Sequence, residues 1–179
     1  MRANARTRFW EAALKIIAQR PPDFAAMDAL VAQFDHGWGL IHAPNPDGVL
    51  AGVTHPVGGP LLEHSSGPRC FLIEWMPCPP TQIHAHPPLM YMAVISGSLE
   101  ITQFDGPVPL QPRATQTLEA GCSDHGWADN DRWDNFPHTI AAHEPAWSLH
   151  LYGDDSGRGV RYDPDGRPTP PSSQHQSAG

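Results

Sequence analysis

Two histidines separated by a single residue, His84 and His86, are the first residues of this sequence whose type and spacing could do chemistry. On a β-strand, residues i and i+2 point to the same face, so both imidazoles could bind one metal ion. The spacing alone is weak evidence. A chain with 11 histidines among 179 residues contains roughly 0.7 such pairs by chance, so the pair needs support from its context.

A third histidine and a polar strand provide that context. His138 follows residues 134–137 and begins a further predicted strand. Near the end of the chain, Ser148, His150 and Tyr152 alternate with leucines, so these three polar groups share one face of a predicted strand. Two arrangements remain open: either the leucines face the interior, or the polar side chains line a cavity.

The elements that would position these residues are mostly short β-strands. Proline and glycine number 21 and 16, which argues against a helical bundle and favours a body rich in turns. Short strands separated by Gly/Pro turns indicate an all-β sandwich or barrel. The sequence predicts strands over 69–75, 91–95 and 99–104, and shorter ones near 115–118, 139–142 and 147–152.

Two helices and a tail complete the predicted organisation. Apolar residues recur at helical spacing from Thr7 to Gln19, and Asp23 can cap a second amphipathic helix. We expect residues 1–36 to form helices that pack on a β domain of residues 37–163. Residues 164–179 are rich in proline, serine and glutamine, and they are expected to be a disordered tail.

Composition also excludes several classes of function. The formal net charge is −8 and Lys15 is the single lysine, so no basic stripe is present to bind nucleic acid. Cys70, Cys78 and Cys122 form no CxxC pair, which argues against a disulfide framework and fits a reducing cytoplasm. Charged residues interrupt the first twenty positions, so no export signal or membrane span is predicted. We therefore expect a cytoplasmic protein with neither a nucleic-acid nor a membrane partner.

From about residue 69 to residue 163, the sequence resembles the thiol dioxygenases of the cupin superfamily, namely cysteine dioxygenase and 3-mercaptopropionate dioxygenase. The Trp-x8-His-x-His segment that begins at Trp75 and continues to Gly97 is similar to the first motif of that family. His138 followed by Glu144–Gly153 is similar to its second motif. The resemblance implies an all-β cupin fold, a double-stranded β-helix of two facing antiparallel sheets with two short α-helices on its outside.

The same resemblance implies a metal centre. His84, His86 and His138 would bind Fe(II), although three imidazoles also suit other divalent ions such as Ni or Co. Met90 stands four residues after His86, where most cupins have a glutamate ligand. The ion would therefore keep three neutral ligands, with open positions for a substrate sulfur and O2, and Met90 would line the substrate pocket.

Four further residues receive roles from the resemblance. Ser148, His150 and Tyr152 would form a hydrogen-bonded triad beside the metal, with the phenol directed at substrate or oxygen. Arg161, nine residues after Tyr152, would hold a substrate carboxylate. The implied activity is oxidation of the sulfur of a small thiol, L-cysteine or a cysteine-like thiol acid, by O2.

Several alternatives stay open at this stage. The apolar Pro87–Met90 segment would suit a tailoring enzyme of specialised metabolism, which oxidises cysteine and rearranges it, for example to a sulfonamide. A cupin that binds a metal or ligand without catalysis is the second alternative. The remaining histidine near the second motif, His143, is interpreted as a turn residue, and residues 124–134 as a solvated acidic loop. A monomer and a homodimer are equally compatible with the sequence.

Overall fold

The computed structural model describes residues 5–33, 53–58, 67–154 and 158–169. Over these residues the chain forms two helices followed by nine strands. Neither helix is long and apolar enough to cross a membrane. The elements are α1 (Ala5–Ile17), α2 (Phe24–Gln33), β1 (Val53–Gly58), β2 (Arg69–Trp75), β3 (His84–His86), β4 (Leu89–Ser96), β5 (Ser98–Asp105), β6 (Gln111–Glu119), β7 (Ser123–Trp127), β8 (Asn135–Ala141) and β9 (Ala146–Tyr152).

From β2 to β9 the strands form nested pairs, in which the first strand pairs with the last and the two middle strands pair with each other. β2 pairs with β9, β3 with β8, β4 with β7 and β5 with β6, all antiparallel. Two further pairings, β4 with β9 and β5 with β8, roll this long hairpin into two sheets of order β1-β2-β9-β4-β7 and β3-β8-β5-β6. Eight strands rolled up in this way form a jelly roll. The predicted fold class, a cupin double-stranded β-helix with two short helices, is confirmed.

Both helices pack on the outer face of the five-stranded sheet. The Asp23 carboxylate accepts a hydrogen bond of 3.0 Å from the Ala26 amide and caps α2. The Tyr91 hydroxyl, on β4, donates to Asp28 at 2.8 Å and ties that helix to the sheet. Apolar side chains from both helices and the sheet form one core: Phe9, Trp10, Ala13, Ile17, Met27 and Val31 with Cys70, Leu72, Leu89, Tyr91, Ala93, Leu149 and Leu151.

The position of the helices decides which face of β9 is the inner one. Leu149 and Leu151 belong to the core beneath the helices. Ser148, His150 and Tyr152 alternate with them and therefore point into the barrel, where all three are buried. Of the two arrangements that the sequence left open, the polar side chains line the interior.

The C-terminal segment closes the free edge of β3. The Ala85 amide donates to the Val160 carbonyl at 2.8 Å, and the Tyr162 amide donates to the Ile83 carbonyl at 2.9 Å. Beyond this point, residues 163–169 form a turn in which the Leu110 amide donates to the Gly166 carbonyl at 2.9 Å. The expectation of a disordered tail from residue 164 is therefore wrong for residues 164–169, because these backbone bonds hold them on the barrel.

The remaining expectations concern the acidic stretch, the end of the chain and the boundary between the helices and the β domain. The acidic stretch 124–134 was expected to be a loop, yet its first residues belong to β7, which pairs with β4. Residues 170–179 and the boundary expected between residues 36 and 37 lie outside the described residues.

Candidate metal centre

Three histidines from two neighbouring strands converge inside the barrel. His84 and His86 lie on β3, and His84 is directly opposite His138 of β8 in the register of the four-stranded sheet. The potential ligand nitrogens of the three rings all lie within 4.8 Å of one another. The Nε2 atoms of His86 and His138 are 3.3 Å apart. The three histidines predicted from the sequence are therefore brought together.

A backbone carbonyl orients the ring of His84. Nδ1 of His84 lies 2.9 Å from the carbonyl oxygen of Gln82, two residues earlier. A carbonyl can only accept, so this Nδ1 carries the proton and the Nε2 of His84 presents its lone pair to the cluster. Histidines that bind metals in proteins are oriented in this manner. The backbone of Phe136, two residues before His138, acts to raise the pKa of that ring against the larger lowering by burial.

Burial keeps the rings neutral. His86 and His138 are only 2 % and 3 % exposed. Burial, with a smaller contribution from neighbouring imidazoles, lowers the pKa of His86 and of His138 well below the usual value. Burial also lowers the pKa of His84 to about 4, against the opposing effect of the Gln82 carbonyl and with the help of Arg161. Neutral imidazole is the form that binds a metal ion.

The donor set fits a divalent first-row metal ion. Metal–nitrogen bonds of about 2.1 Å place two adjacent ligands roughly 3.0–3.4 Å apart, and the Nε2–Nε2 distance of 3.3 Å falls in that range. Within the described part of the chain, the only cluster of potential metal ligands consists of these three histidines, without a carboxylate. Met90 is a buried neighbour of Tyr152 across β4 and β9. Such a site would hold a cation with neutral ligands alone.

A chain of hydrogen bonds runs along the inner face of β9. The indole N–H of Trp75 donates to Ser148 Oγ at 2.7 Å. Ser148 Oγ is 2.7 Å from His150 Nε2, and His150 Nδ1 is 3.0 Å from the Tyr152 hydroxyl. Burial lowers the pKa of His150 to about 3, so the ring is neutral and carries a single N–H.

The direction of this chain follows from its first member. Trp75 can only donate, so Ser148 accepts from it. Donation from Ser148 to His150 Nε2 is then the direction that leaves the proton of this fully buried hydroxyl hydrogen-bonded. The proton of His150 is then on Nδ1 and is donated to the oxygen of Tyr152. The phenol proton is consequently left to bond outside this chain. Burial raises the pKa of Tyr152 above its ordinary value and keeps the phenol protonated.

Tyr152 joins this hydrogen-bond chain to the histidine cluster. Its ring stacks on the imidazole of His86, with centroids 4.9 Å apart and an interplanar angle of 12°. In the five-stranded sheet, Tyr152 lies between Arg69 of β2 and Met90 of β4. Phe71 lies beside it at a centroid distance of 6.0 Å. The phenol therefore lies at the histidine cluster, between Arg69 and Met90 and beside Phe71.

Arg161 lies next to the cluster in the C-terminal segment. It forms an isolated antiparallel bridge with His84, and its positive charge is close enough to contribute to the low pKa of that histidine, after burial. His143, by contrast, lies at the surface with a side chain 73 % exposed, and its Nε2 is 3.5 Å from Glu100. Of the residues predicted from the sequence, Tyr152 stacks on His86 and Arg161 is bridged to His84, while Ser148 and His150 are linked to the cluster through Tyr152. His143 lies at the surface, outside the strands.

The sequence did not reveal three contacts of the site. Trp75 was identified only as the first residue of the Trp-x8-His-x-His segment, and its role as the donor to Ser148 depends on the register of β2 with β9. The carbonyl of Gln82 gives no signal in a sequence. The stacking of Tyr152 on His86 connects two sheets, which no local pattern predicts.

Comparison with known proteins finds only distant similarities to solved structures. No protein-family model and no curated protein matches it. Among solved structures, it is similar to the oxalate decarboxylase of Bacillus subtilis (18 % identity, TM-score 0.46, 62 % of this chain and 28 % of that one). It is also similar to the DMSP lyase DddQ of Ruegeria pomeroyi DSS-3 (16 % identity, TM-score 0.38, 50 % of this chain and 39 % of that one). A third such structure is the EutQ protein of Clostridium difficile (14 % identity, TM-score 0.41, 56 % of this chain and 68 % of that one).

The matched part of the chain spans less than two fifths of the lyase and of the decarboxylase. Likenesses this distant do not bear on what the chain binds or catalyses. The assignment of the double-stranded β-helix rests on its own strand order.

Proposed function

We propose that this protein binds Fe(II) through His84, His86 and His138 and uses O2 to oxidise the sulfur of a small thiol, L-cysteine or a cysteine-like thiol acid. The observation that supports this most is the meeting of three neutral imidazoles, without a carboxylate, and a hydrogen-bonded phenol. An ion held by neutral ligands keeps its full positive charge, and that charge favours binding of a thiolate.

The iron, when bound, would supply the coordination positions at which a thiolate sulfur and O2 come together. The protein's contribution is to keep the three rings neutral through burial and to orient the ring of His84 through the Gln82 carbonyl. It also surrounds the reacting atoms with buried side chains, Met90 among them, which exclude water and strengthen electrostatic interactions.

Tyr152 is the proposed hydrogen-bond donor to substrate or oxygen. Its oxygen accepts from His150, so its own proton can be donated to a negatively charged group beside the metal. Ser148 and His150 fix the position of the phenol through short bonds of 2.7 and 3.0 Å. We expect these two residues to act by orienting Tyr152 rather than by touching the substrate.

Arg161 is the proposed carboxylate-binding residue. A guanidinium binds a carboxylate through two parallel hydrogen bonds, which also fixes the carboxylate's orientation. The bridge between Arg161 and His84 supports this role, because a thiol acid bound to the ion would carry its carboxylate a few atoms from the sulfur. The proposal needs no partner other than the thiol and O2, and it applies to a monomer or a homodimer.

The proposal is tested by loading the protein with Fe(II) under anaerobic conditions and then measuring O2 consumption with L-cysteine, 3-mercaptopropionate and cysteamine. Parallel samples with Ni and Co identify the active metal. We expect thiol-dependent O2 uptake with the first two compounds and weak uptake with cysteamine, which has no carboxylate. His143→Ala is the matched control, since this histidine is exposed. Undiminished uptake by His86→Ala with full metal loading would contradict the ligand assignment.

The mass of the product, together with the atom to which its nitrogen is bonded, separates the alternatives. A gain of two oxygen atoms on sulfur with nitrogen still on carbon identifies a sulfinate. Nitrogen bound to sulfur identifies a rearranging enzyme that uses the same site. Iron binding without O2 uptake for any thiol identifies a metal-binding cupin that does not oxidise thiols and overturns the proposal.

A further inference from the structure

Phe136 adopts a backbone conformation that its side chain disfavours. With φ of 53°, it is the one residue other than glycine that has a positive φ within the described ranges. A bulky residue is strained in this left-handed region, and the residue before a proline is normally extended. Strain of this kind persists only where the surrounding structure enforces it, and it is frequent at functional sites. Phe136 precedes the proposed ligand His138 by two residues.

The conformation of Phe136 creates a β-bulge in β8, opposite the strand β3 that carries His84 and His86. His84 pairs with His138, whereas His86 pairs with Asn135, so two steps along β3 face three steps along β8. The additional residue lies in the segment 136–137. A bulge of this type bends the strand and changes the direction in which a neighbouring side chain points. The bulge therefore determines where β8 presents His138.

The bulge lies directly before the proposed ligand His138. Nε2 of His138 faces Nε2 of His86 at 3.3 Å, and the backbone of Phe136 is near enough to the His138 ring to oppose part of the lowering of its pKa by burial. An extended conformation at residue 136 would remove the bulge and shift the pairing of β8 with β3 by one residue, which would turn the His138 side chain away from His86.

The Phe136 ring packs directly on Gly126 and occupies the space that a larger side chain there would fill; we describe the ring as seated on Gly126. A Cβ atom added to Gly126 would lie 2.7 Å from two atoms of the ring, which is closer than real contacts allow. Gly126 is paired with Met90, which in turn is paired with Tyr152. The ring thus packs against the row of paired residues Gly126, Met90 and Tyr152, of which Tyr152 is the proposed hydrogen-bond donor. Only glycine at position 126 permits this approach.

We propose that Phe136 is a positioning residue for His138: its ring, seated on Gly126, holds the left-handed bulge from which β8 presents the His138 ring to the cluster. The inference rests on the proposed metal centre. A glycine would adopt this backbone conformation without support, whereas a phenylalanine needs an anchor, and the anchor is the space above Gly126.

Co(II) serves as the probe, with affinity measured by competition against a chelator and site geometry by the visible absorption bands of the ion. Gly126→Ala displaces the ring, and we expect a loss of affinity of about 10- to 100-fold together with shifted bands, since changes behind a ligand histidine have effects of this size. Phe136→Val, which has no aromatic ring and resists a positive φ, should give the same result. Phe136→Gly should keep the affinity and bands close to those of the wild type, because glycine populates the left-handed region freely.

The double variant Gly126→Ala/Phe136→Gly is the decisive rescue. It should recover the wild-type bands, because no ring is left to be displaced. Leu118→Ala is the control for a general loss of stability, since this residue is buried in the apolar core and not at the histidine cluster. Wild-type affinity and bands in folded Gly126→Ala or in Phe136→Val overturn the inference. So does a Phe136→Gly variant that loses affinity as strongly as they do. A wild-type protein that does not bind Co(II) contradicts the metal centre itself, which is a separate failure.

Discussion

The two ends of the barrel interior are built from the same strands and are equally buried, but they contain opposite chemistry. On β8, Ile140 is 1 % exposed and His138 is 3 % exposed, two residues apart on the same face. One end is an apolar core: Ile73, Trp75, Met92, Val94, Leu99, Ile101, Leu118, Ile140, Ala142 and Ala146. The other end holds four buried or half-buried imidazoles and a phenol: His84, His86, His138, His150 and Tyr152.

The difference teaches which end stabilises the fold. Burial of apolar surface contributes about 25 cal/mol per Å², whereas burial of a polar group is unfavourable unless it is hydrogen-bonded. The histidine end limits this penalty with the Gln82 carbonyl and with the Trp75–Ser148–His150–Tyr152 chain. Nδ1 of His86 is nonetheless buried without a hydrogen-bond partner among the described residues. We conclude that the apolar end and the helices stabilise the fold, while the histidine end serves function at a cost in stability.

Removal of one ligand is expected to have the largest effect. His138→Ala should lower the affinity for a divalent ion by more than about 100-fold, which exceeds the effect of changes behind a ligand. The metal-free protein should remain folded, because the apolar end is untouched. Metal content and chelator competition measure the first effect, and denaturant unfolding the second. His143→Ala should change neither; equal metal affinity of the two variants would contradict the assignment.

A truncation at the apolar end should have the converse effect. Leu99 is fully buried in the apolar core, so Leu99→Ala should lower the free energy of unfolding by about 2–5 kcal/mol. The folded variant should bind the metal ion with the affinity of the wild type. Denaturant titration and metal competition on the same sample test both statements. Loss of metal affinity in the folded fraction would show that the two ends are coupled.

Acidification should destabilise the metal-free protein through the histidine end. The folded pKa values of His84 and His150 are lowered by burial to about 4 and about 3, against about 6.5 in the unfolded chain. Below pH 6.5 the unfolded state therefore binds protons that the folded state does not. The free energy of unfolding should fall between about pH 6.5 and pH 4, with a slope approaching 1.4 kcal/mol per pH unit for each such histidine.

Denaturant unfolding at a series of pH values measures this slope. His143→Ala should leave it unchanged, since that histidine is exposed. His150→Gln should make it shallower. A stability that is constant from pH 6.5 to 4 would mean that the histidines are not buried as neutral rings.

The smallest effect is expected for Trp75→Phe. Phenylalanine retains an aromatic ring in the core but removes the N–H that donates to Ser148. The free energy of unfolding should fall by about 1 kcal/mol, with metal affinity unchanged and the rate of thiol oxidation reduced, because the Tyr152 phenol is less firmly oriented. Steady-state O2 uptake and metal competition distinguish these results. A lower metal affinity with an unchanged rate would contradict the role of this hydrogen-bond chain.

Much of the fold and site could be predicted because the signals are local. The strict alternation in 99–104 predicted β5. The spacing of His84 and His86 suggested two ligands, and the resemblance to the thiol dioxygenases implied the third, His138. β7 was missed because Asp124, His125 and Gly126 give no alternation, and the strand forms only through its pairing with β4. Its place in the sheet is a tertiary effect.

The alternation along β9 could not by itself predict the inner face of that strand, for a different reason; only the family resemblance implied it. The five-stranded sheet is covered by helices on one side and by the other sheet on the opposite side, so both faces of β9 are buried. An alternation of leucines with polar residues then identifies a strand but not its orientation. Likewise, the left-handed φ of Phe136 depends on Gly126, a residue on another strand.

The closure of the β3 edge by residues 160–162 has a consequence for biosynthesis. The strand that bears His84 and His86 lies between β8 and this segment, and both are translated long after it. A growing polypeptide on the ribosome therefore holds the proposed ligands His84 and His86 in a strand that still lacks both of its neighbours. A metal site built from these histidines would be complete only after β8 has been translated, and its strand would be fully paired only after residue 162.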